Sequence, residues 1–254
     1  MDILEFSFLI IILAFICEYI DSSLGMGYGT TLTPLLLIMG YQPLQIVPAI
    51  LLSELISGLS AAFFHHRFKN VDFKIGAIDF KIAVVMAVCS IFGTVAAVFI
   101  ALNISKFYIK LYIGLVVLSM GIIILITLSR NFKFSWKKII SLGLLASFNK
   151  GISGGGYGPI VTSGQILSGV NSKNAVGITS LAEGLTCLVG VVTYLIFTNH
   201  RIQWNLAPSL VVGAILSVPL ATYTVKRFKG GHLKLFVGIA TLLLGLLTLG
   251  KLFF

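Results

Sequence analysis

The chain has 254 residues, of which 57% are apolar and only 10% are charged, and its mean hydropathy is +1.05. A water-soluble domain carries more charge than this, so the composition excludes soluble classes and predicts an all-α polytopic protein whose main partner is the lipid bilayer. The net charge of +10 comes from basic residues in short loops between apolar runs. No basic patch with interleaved aromatic residues accompanies it, so we expect no nucleic-acid partner.

The first apolar region, residues 6–39, is interrupted by glycines. The run 6–20 is shorter than the about twenty residues that a helical crossing needs, and the run 31–39 is shorter still. Irregular backbone is tolerated at membrane depth only where it is buried in protein or lines an aqueous cavity. We therefore expect two short helices around a glycine break; whether they span or re-enter stays open. Residues 1–5 lack the positive start of a cleavable signal, so we expect the first run to be retained.

Three longer spans follow the broken pair in each half of the chain. In the first half they are predicted at 45–64, at 78–102 and in a third segment that ends near residue 128. The second half starts with short runs at 139–148 and 160–167 around another glycine segment, followed by spans at 175–197, 206–225 and 233–249. The two halves therefore have the same order of elements.

An internal repeat explains this order. A shift of 129 positions aligns the two glycine segments without a gap, pairing Gly25 with Gly154, Gly27 with Gly156, Tyr28 with Tyr157, Gly29 with Gly158 and Glu54 with Glu183. We therefore predict one membrane domain built from two repeats, residues 1–129 and 130–254, whose glycine segments meet near the centre.

Loop charge predicts the orientation of the two repeats. The loops 65–81, 130–138 and 226–234 hold twelve of the eighteen Lys and Arg residues, and a single topology places all three on one side. The positive-inside rule makes that side cytoplasmic, with both termini outside the cytoplasmic (inner) membrane. The repeats then have inverted topology. Inverted repeats with interrupted helices at mid-membrane are typical of secondary transporters.

The glycine segments have two interpretations. Gly25–Gly29 and Gly154–Gly158 both read G-x-x-x-G, which favours close helix packing. Alternatively, two breaks that each open a short helix would leave backbone N–H groups free to bind an anion. The candidate anion-binding residues on this second interpretation are Ser22, Ser23, Gly25, Gly27, Tyr28, Gly29, Asn149, Lys150, Ser153, Gly154, Gly155, Gly156, Tyr157 and Gly158.

Charged residues at membrane depth form the second candidate set. Glu54 and Glu183 lie well inside their spans, where an ionised carboxylate costs about 2.5 kcal/mol or more. They are either proton carriers or structural carboxylates that hold the N–H groups of a glycine break. Asp21 and Lys150 occupy equivalent repeat positions with opposite charge and are expected to pair. Glu18 belongs to the same cluster or lies near its mouth.

An enzyme is the alternative from another class. Gly151-Ile152-Ser153-Gly154 fits the G-x-S-G pattern of rhomboid-like intramembrane proteases, but the histidines that follow it in the sequence lie in polar loops. We therefore predict no catalytic residues. The three cysteines lie in apolar runs without metal-like spacing, so neither a metal nor a cofactor is expected.

The glycine motifs resemble those of the sulfite exporter (TauE/SafE) family. In the first half they read Gly25-x-Gly27-x-Gly29 with Gly40-x-x-Pro43 downstream, and in the second half Gly154-Gly155-Gly156-Tyr157-Gly158 precedes Val-Gly-Ile-Thr-Ser at 176–180. The resemblance implies a permease for sulfite or another small organosulfur anion, usually an exporter, with protons as a candidate coupling ion. An uptake permease for another small anion is the alternative within this class. Oligomeric state is not predicted.

The loop charges generate a test of orientation. A reporter that is active only in the cytoplasm should stay silent when fused after Phe254, because both termini are expected outside. The same reporter fused after Lys69, with the remainder deleted, should be active and serves as the control. Activity at the C-terminus would contradict the orientation or the number of spans.

Overall fold

The computed structural model describes residues 7–126, 135–167, 170–197, 206–227 and 231–253, and within them the secondary structure is helical without strands. The helices are α1 (Phe8–Leu24), α2 (Tyr28–Ile38), α3 (Pro43–Arg67), α4 (Ile78–Asn103), α5 (Lys106–Ile126), α6 (Trp136–Ser153), α7 (Tyr157–Leu167), α8 (Ser172–Phe197), α9 (Ala207–Arg227) and α10 (Gly231–Phe253). Each half contains a short second helix followed by three long helices, as the sequence predicts.

The helices suit a lipid environment. Among the described residues, α3, α4, α5, α8 and α9 contain segments long and apolar enough to cross a membrane. On α4, Phe92 and Phe99 are 69% and 59% exposed, whereas Ser90 and Thr94 of the same helix are fully buried. The hydrocarbon core of a bilayer favours apolar side chains on the outer surface and hydroxyls in the interior, because polar groups must find their partners within the protein. The expectation of an all-α, multi-pass membrane protein is confirmed.

The glycine breaks are shorter than the sequence suggested. Three residues, Gly25-Met26-Gly27, separate α1 from α2, and Gly154-Gly155-Gly156 separate α6 from α7. The predicted run 139–148 was too short, because α6 continues to Ser153 through polar residues that do not interrupt a helix. Both broken helices instead end at a left-handed glycine, Gly25 with φ 69° and Gly154 with φ 72°. Only glycine adopts that conformation freely, so its position determines where each helix ends.

Helices from the two halves pair reciprocally. Helix α1 packs along α9 and α6 packs along α4, while α3 packs against α8 and α5 against α10. The 129-residue shift converts α1 into α6 and α4 into α9, so it exchanges the first two pairs and preserves the last two. The division at residue 129 lies outside the described residues, and inverted topology stays a prediction.

The two breaks contact each other through backbone atoms. A Cβ added to Gly29 would lie 1.7 Å from the carbonyl oxygen of Gly154, and one added to Gly158 would lie 2.4 Å from that of Gly25. These contacts are related by the repeat shift. The sequence-based expectation that the glycine segments meet is confirmed, and the close approach supports the packing interpretation of G-x-x-x-G.

The crossing can be tested by adding one methyl group. Gly29→Ala should lower stability by about 1–3 kcal/mol or more, because the new Cβ overlaps a carbonyl on another helix. Gly250→Ala is the matched control, since a Cβ there meets no atom within 4 Å. Thermal unfolding of both variants in detergent measures the difference. Equal melting temperatures would show that the crossing does not require glycine.

Candidate functional site

The last turn of α1 presents acidic and hydroxyl groups to the interior. Glu18, Asp21 and Ser22 are three and four residues apart, so they share one face of the helix. The Ser22 hydroxyl donates to Glu18 Oε1 at 2.6 Å, and the Ser57 hydroxyl of α3 donates to Glu18 Oε2 at 3.1 Å. Glu18 is 1% exposed. It therefore belongs to the buried cluster rather than to a cavity mouth.

The last turn of α6 carries the opposite charge. Lys150 is fully buried, and its ammonium donates to Glu183 Oε1 of α8 at 2.7 Å and forms a second, shorter ion pair with Glu54 Oε2 of α3. A cation at a helix C-terminus is also stabilised by the helix dipole. The two glutamates related by the repeat thus converge on one lysine. Among the described residues, the ion pairs of Lys150 go to these glutamates and not to Asp21, so the expected Asp21–Lys150 pair is wrong.

Asp21 bonds across the first glycine break, from the end of α1 to the start of α2. Its carboxylate Oδ1 accepts the backbone N–H of Tyr28, the first residue of α2, at 3.2 Å. One of the two roles predicted for Glu54 and Glu183 was to bind the N–H groups of a glycine break. In the structure Asp21 makes this contact, because the chain reverses at Gly25–Gly27 and brings the start of α2 back beside the end of α1.

A small cavity lies within the cluster. Its volume is ≈ 10 Å³, room for about one water molecule. Its lining includes the carboxylates Glu18, Asp21, Glu54 and Glu183. Glu54 Oε1 is buried and has no hydrogen-bond partner.

Three of these carboxylates could also hold a metal ion by spacing. One oxygen each from Asp21, Glu54 and Glu183 lies within 4.8 Å of the others. The Lys150 ammonium already bonds to two of these three carboxylates and supplies positive charge from the protein itself.

The N–H groups of the second break bond within the protein. Gly154 N–H donates to Lys150 O at 2.8 Å, Gly155 N–H to the Ser153 hydroxyl at 3.1 Å, and Gly156 N–H to the Thr30 hydroxyl at 2.9 Å. These three N–H groups are therefore not free to bind an anion in this conformation, and the anion-binding interpretation of the breaks stays a prediction. A Cβ on Gly155 would lie 2.6 Å from the backbone of Gly29 and Thr30 at the start of α2, so the close contact between the halves also requires glycine at this position.

Other predicted site residues beside the breaks are buried or bonded to neighbouring groups of the protein. Tyr28 and Tyr157 are fully buried, and the Tyr28 hydroxyl bonds to the Ser53 hydroxyl at 2.8 Å. Ser23 donates to the carbonyl of Tyr19, and the Asn149 amide oxygen accepts the Tyr112 hydroxyl. These bonds fix the positions of side chains that lie beside the two breaks.

Ser153, the nucleophile of the protease alternative, also serves the local backbone. Its hydroxyl is buried and donates to Asn149 O at 2.7 Å. His200 and the side chain of His232 lie outside the described residues.

The sequence analysis missed a matched pair of contacts at the ends of α1 and α6. The His65 ring bonds through Nε2 to Ser22 O at 3.0 Å, and the Tyr194 hydroxyl donates to Gly151 O at 3.0 Å. The shift of 129 converts His65 into Tyr194 and Ser22 into Gly151. Each contact satisfies a carbonyl that the broken helix leaves unpaired. His65 lies in the last turn of α3, yet it is fully buried. The repeat register was the signal that could have found it.

Comparison with known proteins identifies the family. A family model described as Sulfite exporter TauE/SafE matches residues 10–248. The chain belongs to the TauE/SafE family. A relative, "Probable membrane transporter protein YtnM" of Bacillus subtilis (strain 168), is 30% identical over 247 residues, covering 90% of this chain and 79% of the relative. No solved structure matches the chain. The chain is therefore a membrane transporter, and the resemblance found in its glycine motifs is confirmed.

The ion pairs of this TauE/SafE protein generate a stability test. Lys150→Met should lower stability by about 3–5 kcal/mol, because it leaves two buried carboxylates without their counter-charge. Adding Glu54→Gln and Glu183→Gln should recover part of that loss by removing the orphaned charges. Lys173→Gln, at an exposed position, is the control. Thermal melting in detergent measures all four proteins, and an unchanged melting temperature for Lys150→Met would contradict the analysis.

Proposed function

We propose that this chain is a secondary transporter that moves a small anion, sulfite or an organosulfur anion, out of the cell by alternating access. The observation that carries the proposal is the fully buried ammonium of Lys150 beside the crossing of two broken helices. Ionisable residues at membrane depth are rare and are usually paired, and they typically mark substrate or ion pathways. A small oxyanion is the ligand whose charge and hydrogen-bond acceptors suit that ammonium.

The reciprocal packing of the halves supports alternating access. The pairs α1–α9 and α6–α4 exchange under the repeat shift, and the crossing glycines Gly29 and Gly158 do the same. Such pairing fits two inverted repeats, residues 1–129 and 130–254, that rock about a shared centre. In the proposed cycle the ligand meets Lys150 and the starts of α2 and α7, where the other candidate residues cluster.

Opening is a required step of this cycle. The cavity at the cluster is ≈ 10 Å³, which is too small for an oxyanion with three or more heavy atoms around sulfur. The conformation described is therefore the closed one in this proposal. The glycine linkers are the proposed hinges, because Gly25, Gly27, Gly154 and Gly156 have positive φ and adapt without a Cβ penalty.

The proposed direction follows from the membrane potential. An inside-negative potential expels a negative charge with about 2.3 kcal/mol per 100 mV, so export of an anion needs no other energy source. In the proposed setting the protein lies in the cytoplasmic membrane with both termini outside. Uptake of another small anion is the alternative, and it would require a second driving ion.

Flux measurements test the proposal. In proteoliposomes, an imposed potential that is negative on the cytoplasmic side should drive sulfite or a sulfonate out of that side, faster than acetate or chloride. Lys150→Gln should abolish the flux, because the substitution removes the ammonium that binds the anion. Lys173→Gln, at an exposed position in the first turn of α8, is the control and should transport normally. Selective transport of acetate, or full activity of Lys150→Gln, would contradict the proposed substrate class.

A further inference from the structure

Carboxylates of the protein occupy the donors that an anion would use. The Lys150 ammonium is held by Glu54 and Glu183, and the N–H at the start of α2 is held by Asp21. A carboxylate and a sulfur oxyanion compete for the same kind of donor, since both accept charge-assisted hydrogen bonds. In this conformation each of these donors is already bound to a side-chain anion.

The same cluster contains more acid than base. Glu18, Asp21, Glu54 and Glu183 line the cavity, and Lys150 is the cation bonded to two of them. With all groups ionised, four negative charges against one positive charge leave a net charge of −3. Bringing a further anion into this site without added positive charge would be strongly unfavourable, because low-dielectric surroundings strengthen repulsion. Anion binding therefore needs compensation.

We propose that Glu54 and Glu183 are tethered competitors of the substrate, so that anion binding at Lys150 is linked to proton uptake by this glutamate pair. The proposal deepens the proposed function and rests on it. When the oxyanion takes the ammonium, one glutamate leaves it, and a carboxylate oxygen of that glutamate takes up a proton from hydronium or a protonated buffer in the aqueous phase, which is left as water or the conjugate base. The net charge of the site is unchanged by the combined step when the anion is monovalent.

The surroundings of the pair favour this exchange. Within the part of the chain that the structure describes, Glu54 Oε1 is buried without a hydrogen-bond partner, so this oxygen is free to receive the proton. The charged groups that face the pair are Glu18 and Asp21 from α1 and Lys150 from α6. The Cys187 thiol of α8 lies 3.8 Å from Glu54 Oε2. Once a glutamate leaves Lys150, its remaining charged neighbours on α1 are acidic, which favours protonation of the displaced carboxylate.

Reciprocity gives the proposal a measurable form. If an anion brings a proton with it, lowering the pH must tighten anion binding, by up to about tenfold per pH unit for one linked proton. Methanesulfonate and sulfate are suitable probes, because neither titrates near neutral pH. Calorimetry of the whole protein in detergent, in buffers of different ionisation enthalpy, measures the protons taken up. We expect about one proton per bound anion in the wild type.

Single substitutions separate this coupling from general damage. Glu183→Gln removes one tethered competitor and should bind both probes more tightly at neutral pH while taking up fewer protons. Glu54→Gln should behave in the same way. Asp79→Asn is the matched control. Asp79 is another buried carboxylate, but it bonds to Asp72 N–H and to the Asn174 amide and is not part of the Lys150 cluster. It should retain wild-type proton uptake.

The outcomes are distinguishable. Binding of either probe without proton uptake, or weaker binding by both glutamine variants at neutral pH with unchanged melting temperature, overturns the coupling and leaves the anion permease intact. If a variant does not fold, the proton uptake measured by calorimetry on the wild type decides whether the coupling exists. If neither probe binds at any pH, the coupling proposal fails. Sulfite flux in proteoliposomes from the same preparation then decides whether the proposed function survives.

Discussion

One buried charge determines much of this structure. The Lys150 ammonium lies at the end of α6, fully shielded from solvent, and its two glutamate partners come from α3 and α8. Desolvated charges require partners with good geometry, so these three helices must meet at one point. Helices α3 and α8 also pack against each other. The contact between α3 and α8 therefore joins the two halves and also supplies the two carboxylates that pair with the Lys150 ammonium.

Glycine makes this meeting possible. Lys150 reaches the glutamates because α6 ends four residues later at Gly154, and α1 ends in the same way at Gly25. The short helix that follows each break starts in direct backbone contact with the break of the other half, Gly29 against Gly154 and Gly158 against Gly25. The N–H groups of Gly155 and Gly156 bond to side-chain hydroxyls, and that of Gly154 bonds to a backbone carbonyl, because irregular backbone buried in a membrane protein must find its partners within the protein. The glycines therefore serve packing in this conformation, and anion binding at the same place requires a rearrangement.

The repeat is conserved in geometry more than in chemistry. Positions 21 and 150 are equivalent, yet one is an acid that holds an N–H group and the other a base that holds two acids. Positions 65 and 194 differ in residue type but perform the same task, binding a carbonyl in the last turn of a broken helix. A duplicated scaffold thus supports a site whose two sides are chemically different.

Composition and the glycine repeat determined the class of the protein, the order of its helices and its family from the sequence alone, because lipid imposes long apolar segments and only glycine permits these breaks. The sequence also marked Glu54, Glu183 and Lys150 as unusual, since charge is rare at membrane depth. The sequence could not show which of these charged groups form ion pairs. Only the tertiary structure decided that Lys150 binds both glutamates while Asp21 binds Tyr28 N–H. The choice among nearby carboxylates depends on distances of a few ångströms between helices far apart in sequence, which no local pattern encodes.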